Sequence, residues 1–582
     1  MAQAYRAASS PVSIGNNQYL YADPDHPNNL PFVVLPGGGF YNTQSNNLKY
    51  LYFRHSLDYI QTFNSDHTLT AFASMEVRNT ERQYEFFNGT GYQFDNGGLV
   101  SPYYMYFKQA AEQGKPYFGM YPSRDRFLAY MFTTTYGYKN KYVFTPTFRY
   151  DGSNKMGKSK VARWLPTWNL AGKWNIHEES FWKTNKVLTS ATLRSSYGLT
   201  GNIGYATNSA ATFYNLIARR PYINDQETLT FISDLENSQL TWEKSTDLDI
   251  GADLGFLNNR ITLQTDYYKR RIHDLIGLIN TSGIGGQFTK LGNYGTMAGE
   301  GIEFSLDARV VRTRNLSWSS RFNIAHNKNK VTHLETDPLI WAAVSGNGGA
   351  VVGYPSRGLF SVPFAGLDHY LGYPTFIGTG KDKPVTTYIN LQDDNLSNLK
   401  YEGPVDPTLT GGFYNQVSYK GFTLSGLVKF AAGNVLRLRS ALGFSDMASM
   451  SKDMLNRWAM PGDETKTSVP AIPDAVSAFQ IVDNKGAQVN VVYPYNLYNY
   501  STERVANGKY VKLSSLSFGY QLPQSFCSRL SMTGASITAV ANNILVIYAD
   551  KKLNGQDPEF FNSGGVALPT SKQVTVSLKV GF

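Results

Sequence analysis

A chain of 582 residues would ordinarily divide into roughly three or four domains. Its 54 Lys+Arg against 44 Asp+Glu leave a net charge of +10, scattered rather than in runs, so no nucleic-acid partner is expected. The mean hydropathy is −0.32, and no apolar run of about 18 residues encodes a transmembrane helix. The N-terminal MAQAYRAASSPVSIG has neither the charged start nor the apolar core of a signal peptide. One cysteine, Cys527, excludes internal disulfides and cysteine-rich metal sites. Aromatics make 14% of the chain beside 52 glycines and only 17% charged residues. That balance points to an all-β protein with long loops: a soluble sandwich, a propeller or an outer-membrane barrel.

Periodicity separates these. Strands are read near 50–63, 67–82, 125–138, 141–151, 162–176, 186–200, 241–257, 260–276, 291–313, 316–334, 408–420, 421–434, 509–523, 534–547 and 573–582. Leu248, Ile250, Ala252, Leu254 and Phe256 alternate with Asp247, Asp249, Gly251 and Asp253. Ile261, Leu263 and Tyr267 alternate with Thr262, Gln264, Asp266 and Tyr268. Ile302, Phe304, Leu306, Ala308 and Val310 oppose Glu303, Ser305, Asp307 and Arg309. Phe422, Leu424, Val428 and Phe430 oppose Thr423, Ser425 and Lys429. At the end of the chain, Val574, Val576, Leu578, Val580 and Phe582 oppose Gln573, Thr575, Ser577, Lys579 and Gly581. Successive side chains on a strand point to opposite faces, so each strand has one greasy and one wet wall. Strands of about ten residues or more, with tyrosines near their ends, fit a tilted membrane strand rather than a sandwich.

Connections alternate in length. Asn64-Ser65-Asp66, Lys139-Asn140, Leu257-Asn258-Asn259 and Lys420-Gly421 are tight turns, whereas 83–124, 201–240, 335–407, 435–508 and 548–572 are long. Short turns on one rim and long loops on the other describe an antiparallel transmembrane β-barrel. The parity holds if 335–407 adds either no barrel strand or two. An odd count of about fifteen strands, in a class whose single-chain barrels have even numbers, is read as the C-terminal part of a larger barrel. Residues 1–49 then read as the remnant of an extracellular loop.

These segments carry a resemblance that runs along nearly the whole chain. The residues are Phe148-Arg149-Tyr150-Asp151-Gly152-Ser153; Leu165-Pro166-Thr167-Trp168 with Gly172, Trp174, Glu179 and Phe181; Ser196-Tyr197-Gly198-Leu199-Thr200-Gly201-Asn202; and Trp242-Glu243-Lys244-Ser245-Thr246. Further on come Gly255 to Arg260, Asp266-Tyr267-Tyr268, Asn293-Tyr294-Gly295, Gly301-Ile302-Glu303, Asn327 to Val331, Gly366-Leu367-Asp368, Tyr510 to Leu513 and Gly519 to Pro523. In this order they resemble the SusC/RagA family of TonB-dependent outer-membrane transporters of Bacteroidota. The resemblance implies a 22-stranded barrel around an N-terminal plug, of which this chain would hold the last fifteen strands. The signal peptide, plug, TonB-contacting box and first strands are not recognised here, as in a fragment, split gene or mis-started frame. It also implies TonB-driven import of an oligosaccharide or oligopeptide, captured together with a SusD-like surface lipoprotein.

Candidate site residues follow. Phe582 reads as the signal for the outer-membrane assembly machinery, or as a lipid-facing girdle aromatic. Tyr493, Tyr495, Tyr498 and Tyr500 in VVYPYNLYNY could grip a ligand, or pack within a loop or against a partner. Asp247, Asp249, Asp253 and Asp266 are expected to face the lumen, touching plug or solute, or forming a hydrated wall balanced by nearby Arg and Lys. Asp550, Asp557 and Glu559 lack EF-hand spacing and read as a charged loop. The Gly-rich 346–353 lacks the Lys-Ser/Thr of a phosphate loop, and His177-Glu178-Glu179 lacks the second histidine of a zinc protease. Cys527 reads as an incidental thiol in a periplasmic turn. No cofactor, metal or catalytic group is expected. Besides import, a glycan-binding receptor or adhesin barrel remains open; a barrel enzyme would need a rim cluster of Ser, His and acid that is not found.

Overall fold

Alternating aromatic, β-branched and polar residues keep the backbone extended where the pattern predicts strands. In the computed structural model these segments hydrogen-bond into one antiparallel sheet in which fifteen strands follow each other in chain order. The structure describes residues 20–582 apart from 23–25, 27, 37–38, 95–96, 101–102, 114, 116, 159, 184–186, 205–210, 220–225, 284–287, 379–381, 394, 441–451, 473–491 and 562–570. The strands are β1 Gly39–Phe63, β2 His67–Gln93, β3 Phe118–Tyr138, β4 Tyr142–Ser153, β5 Trp164–Asn175, β6 Leu188–Asn202, β7 Glu243–Phe256 and β8 Ile261–Asn280. They continue with β9 Thr289–Arg312, β10 Leu316–Leu334, β11 Leu409–Tyr419, β12 Phe422–Ala432, β13 Tyr510–Gln521, β14 Gly534–Tyr548 and β15 Gln573–Gly581. Among the described residues, 335–407 adds no strand to this sheet.

Register turns the sequence alternation into two continuous surfaces. Leu254, Leu263, Leu306, Phe322, Phe413 and Val428 lie opposite one another from β7 to β12. The adjoining row is Asp253, Gln264, Ser305, Asn323, Gly412 and Lys429. One wall is therefore hydrocarbon-compatible and the other is wet, in phase across strands far apart in sequence. Ile250, Phe304, Phe518 and Val576 are exposed on the apolar wall, where lipid takes the place of a protein core.

The short connections supply the left-handed backbone that a tight reversal needs. Lys420 (φ 45°) and Gly421 (φ 88°) join the paired Tyr419 and Phe422, the positive-φ pair of a type I′ hairpin. Asn64, Ser65, Lys139, Asn140 and Leu257–Asn259 also have positive φ. Aromatics gather on the apolar side of this turn rim: Tyr138 opposite Tyr142, Tyr142 beside Trp174 (ring centroids 6.5 Å), and Phe422 stacked on Tyr520 at 4.3 Å. This is an interfacial girdle. Phe582 follows β15 at the same rim and is 90% exposed.

Strand ends depart from the sequence reading. β1 begins at Gly39, not near 50, so residues 39–49, expected as loop, are strand. β2 runs on to Gln93 and β3 starts at Phe118. At ~3.4 Å per residue the 27 residues of β2 extend ~90 Å, far more than a tilted strand needs to cross an apolar band of about 25 Å. The excess stands above the loop rim, where both faces are wet and alternation fades. Neither β1 nor β15 has a strand partner on its outward edge among the described residues.

The two walls predict opposite responses to the same charge. Phe304→Arg on the apolar wall should destabilise the folded protein by about 2–4 kcal/mol, while Ser305→Arg on the wet wall should cost far less. Denaturant titration in lipid vesicles measures both.

Candidate functional site

The wet wall is organised by ion pairs that cross strands. Gly251 of β7 lies opposite Arg194 of β6 and Asp266 of β8. Arg194 grips Asp253 through Nε and Nη2, both at 2.9 Å, and reaches Asp266 with Nη2 at 2.9 Å. A Cβ on residue 251 would fall 2.2 Å from Asp266 Oδ1 and 2.9 Å from Arg194 Nη2. Glycine is thus what leaves the guanidinium room to span two strands. Asp247 accepts from Arg270, its cross-strand neighbour, and from Ser245 Oγ at 3.1 Å. Asp249 lies in register between Ser196 and Tyr268. All four aspartates face the same polar side.

A second network lies across β1, β2 and β4. Arg149 donates Nε to both Asp151 oxygens, at 2.8 and 3.0 Å, and Nη2 to Glu76 at 3.1 Å; Arg54 approaches Glu76 from β1 at 3.6 Å. Neither Arg194, Arg270 nor Arg149 stands out in composition. Their positions on the polar phase of alternating strands are the signal that could have found them.

Above the wall, the long loops fold onto one another. Ile340, Val344, Val362, Phe376, Met454, Leu497 and Tyr498 form a buried core drawn from 335–407 and 433–509. Arg437 crosses it, donating to the carbonyls of Val344 (3.3 Å), Ser501 (2.7 Å) and Phe360 (2.6 Å) and to Ser361 Oγ (3.1 Å). Burial pushes its guanidinium down to about 10, so it stays cationic at neutral pH with its charge spread over carbonyl dipoles. The predicted tyrosines belong to this layer. Tyr495 is buried and donates its hydroxyl to Ala471 O at 2.8 Å; Tyr498 is buried in the core itself, under Arg504 at 5.9 Å. Tyr500 is half-buried against Trp341, at 5.1 Å. The side chain of Tyr493 lies outside the described residues. Asp557 and Glu559 bind the buried Lys512 ammonium at 2.6 and 3.1 Å and so tie the 549–572 loop to β13. Asp550 instead accepts from the Asn507 and Lys552 backbone amides.

The motif residues fasten both rims. Buried Trp242 donates Nε1 to Arg163 O at 3.1 Å, and Glu243 accepts from Ile276 N at 2.9 Å and Asn202 Nδ2 at 3.0 Å. Asn293 bonds Thr241 and the Asp274 carbonyl. Gly201 admits the Leu165 side chain, which a Cβ would meet at 2.1 Å. On the turn rim, Glu179 accepts from Tyr142 Oη, Lys141 Nζ (2.9 Å) and Trp174 Nε1 (3.1 Å), binding two girdle aromatics to one carboxylate. These bonds hold it at about 2. His177 Nδ1 lies 2.9 Å from Ala191 O, and Cys527 is buried in the short helix Gln524–Arg529 of the β13–β14 connection.

A fifteen-strand sheet with one greasy and one ion-paired wall, tight turns below and folded loops above, is the geometry of an outer-membrane barrel wall. Residues 4–544 match the family described as TonB dependent receptor-like, beta-barrel. The chain belongs to that family. It is 28% identical over 445 residues to TonB-dependent receptor P3 of Formosa agariphila, an overlap of 73% of this chain and 41% of the relative. It is 35% identical over 221 residues to TonB-dependent receptor SusC of Bacteroides thetaiotaomicron, covering 37% of this chain and 22% of that one. A solved structure of the RagAB peptide transporter superposes with a TM-score of 0.73 at 21% identity, over 94% of this chain and 56% of its counterpart; that likeness shows the fold. The chain spans about half the length of the Formosa relatives it matches, 41% to 53% of each. Its place is the outer membrane.

Two substitutions test these placements. Gly251→Leu should part Arg194 from Asp266 and cost about 1–3 kcal/mol through overpacking, read as a lower unfolding temperature. Glu179 is depressed from 4.5 to about 2, so the stability it gives the turn rim is present above about pH 4.5 and lost as pH falls towards 2. Glu179→Gln should flatten that acid limb in a pH series of thermal unfolding.

Proposed function

We propose that the whole protein of which this chain forms wall and rim imports a solute across the outer membrane with energy delivered through TonB. The observation that carries this is the continuous polar inner wall, lined by paired charges, beneath a rim of loops folded into an ordered surface. An unpaired charge array would hold a solute tightly or repel it. Carboxylates already engaged by Arg194, Arg270 and Arg149 give a hydrated surface over which a polar solute can pass. Oligosaccharides or oligopeptides fit such a wall, being polar and too large for simple diffusion. Likeness to SusC supports a SusD-like lipoprotein as the partner that closes over the rim. Of the predicted tyrosines whose side chains are described, half-buried Tyr500 is the best placed to touch a ligand, with Tyr495 and Tyr498 holding the surface beneath. Further strands completing the sheet on the open edges of β1 and β15 fit the rule that unpaired backbone is not left in lipid. Exposed Phe582, ending an alternating strand, suits recognition by the assembly machinery.

Deleting the gene in its native host should abolish growth on one class of oligomer while leaving growth on its monomer intact, and loss of TonB should do the same. Unchanged uptake of every labelled oligosaccharide and oligopeptide tested would refute import.

A further inference from the structure

The inner wall carries a third charged group, one level nearer the turn rim, with the opposite balance. In register, Thr262 of β8 lies opposite Asp307 of β9, Asp307 opposite Arg321 of β10, and Arg309 opposite Ser319. With Arg260 from the β7–β8 turn they line a recess of about 480 Å³. Three guanidiniums thus meet one carboxylate among the described lining residues. Asp307 is taken by Arg321, whose Nε lies 2.5 Å from Oδ1. Arg260 donates Nη2 to the Val310 carbonyl at 3.0 Å, a neutral acceptor that leaves its charge uncompensated. The Arg309 guanidinium has no hydrogen-bond or ion-pair partner among the described residues, and it is exposed to the lumen side. Elsewhere on this wall the arginines Arg54, Arg149, Arg194 and Arg270 each face a carboxylate. Arg260 and Arg309 lie side by side without a carboxylate of their own; Arg78, another such arginine on this face, lies instead over the Phe127 ring at 4.7 Å.

We propose that this recess binds an oxyanion, a carboxylate or sulfate group borne by the solute, on its way to the periplasmic side. This rests on reading the lumen as the solute's path. A planar guanidinium offers parallel N–H donors that match two oxygens of such a group. Thr262 and Ser319 add hydroxyl donors at the same level. A wall of low dielectric behind the site strengthens the attraction relative to open water. The recess above it, lined by Asp266, Glu303 and Lys429, is the acidic counterpart. Salt screens charge over ~8–10 Å, so each recess acts on the group directly before it, and the basic one is the lower.

The test is calorimetric titration of sodium sulfate into the full-length protein, purified in detergent, at ionic strength fixed with sodium chloride. Saturable binding is expected, weakened about tenfold or more in both Arg309→Gln and Arg260→Gln, with heat-modifiable mobility confirming that each variant is folded. Absence of saturable sulfate binding in the parent protein, or an affinity unchanged in both folded variants, would overturn the proposal. Sulfate binding in a protein that imports nothing would leave this site standing and remove the import reading; import without sulfate binding would do the reverse.

Discussion

The barrel wall follows from placing the backbone where it can hydrogen-bond only to itself. In hydrocarbon no water satisfies a stray N–H or C=O, so the chain must form ladders, and ladders fix which side chains share a face. Once Leu254, Leu263, Leu306 and Phe322 lie in one row, their neighbours Asp253, Gln264, Ser305 and Asn323 have nowhere to go but the other side. The ion pairs of the inner wall are a product of that register. Arg194 and Asp266 are brought together because Gly251 lies between them in both ladders.

The rim obeys a different rule. There the loops reach water, and they are held by a small protein-like core and a few buried charges rather than by a ladder. Arg437 joins Val344 and Phe360 to Ser501, and Lys512 joins β13 to Asp557 and Glu559. Each bond connects segments far apart in sequence. A buried cation left without these acceptors would be costly, so they define one arrangement of the loops over the lumen. That arrangement is the surface any incoming solute or partner meets.

The sequence was legible where the environment was two-sided. All fifteen strands stand where alternation placed them, because greasy and wet positions take turns only if the two faces meet different solvents. The ends of β1, β2 and β3 were not legible, since stretches such as Asn42-Thr43-Gln44-Ser45-Asn46-Asn47 are polar on both faces and carry no alternation. The rim core was hidden for the related reason that Ile340, Phe376, Met454 and Leu497 follow no period. For Tyr495 and Tyr498 the sequence left both ligand contact and packing within the loop open; the core that holds Tyr498 is built from residues more than a hundred positions away, such as Ile340 and Phe376. The acidic wall was readable from parity, but its partners Arg194 and Arg270 needed the register.

One seam shows how far the wet side relaxes the backbone rule. Pro146 sits inside β4, in the middle of the sheet, where a strand normally cannot spare an N–H. The β3–β4 ladder is unpaired there: it holds at Thr133 with Thr147 and resumes at Tyr136 with Phe144. Threonine hydroxyls span the gap instead. Thr133 Oγ1 meets Thr147 Oγ1 at 3.0 Å, and Thr135 Oγ1 meets Thr145 Oγ1 at 3.0 Å. Thr145 and Thr147 lie in register with Ala171 and Asn169, and through them with Ser196 and Gly198, on the side that carries Asp247 and Asp249. The defect is therefore stitched from the lumen, where hydroxyls and water can reach backbone left unpaired. On the lipid side the same gap would have had no such remedy, which is why a proline can stand in this strand.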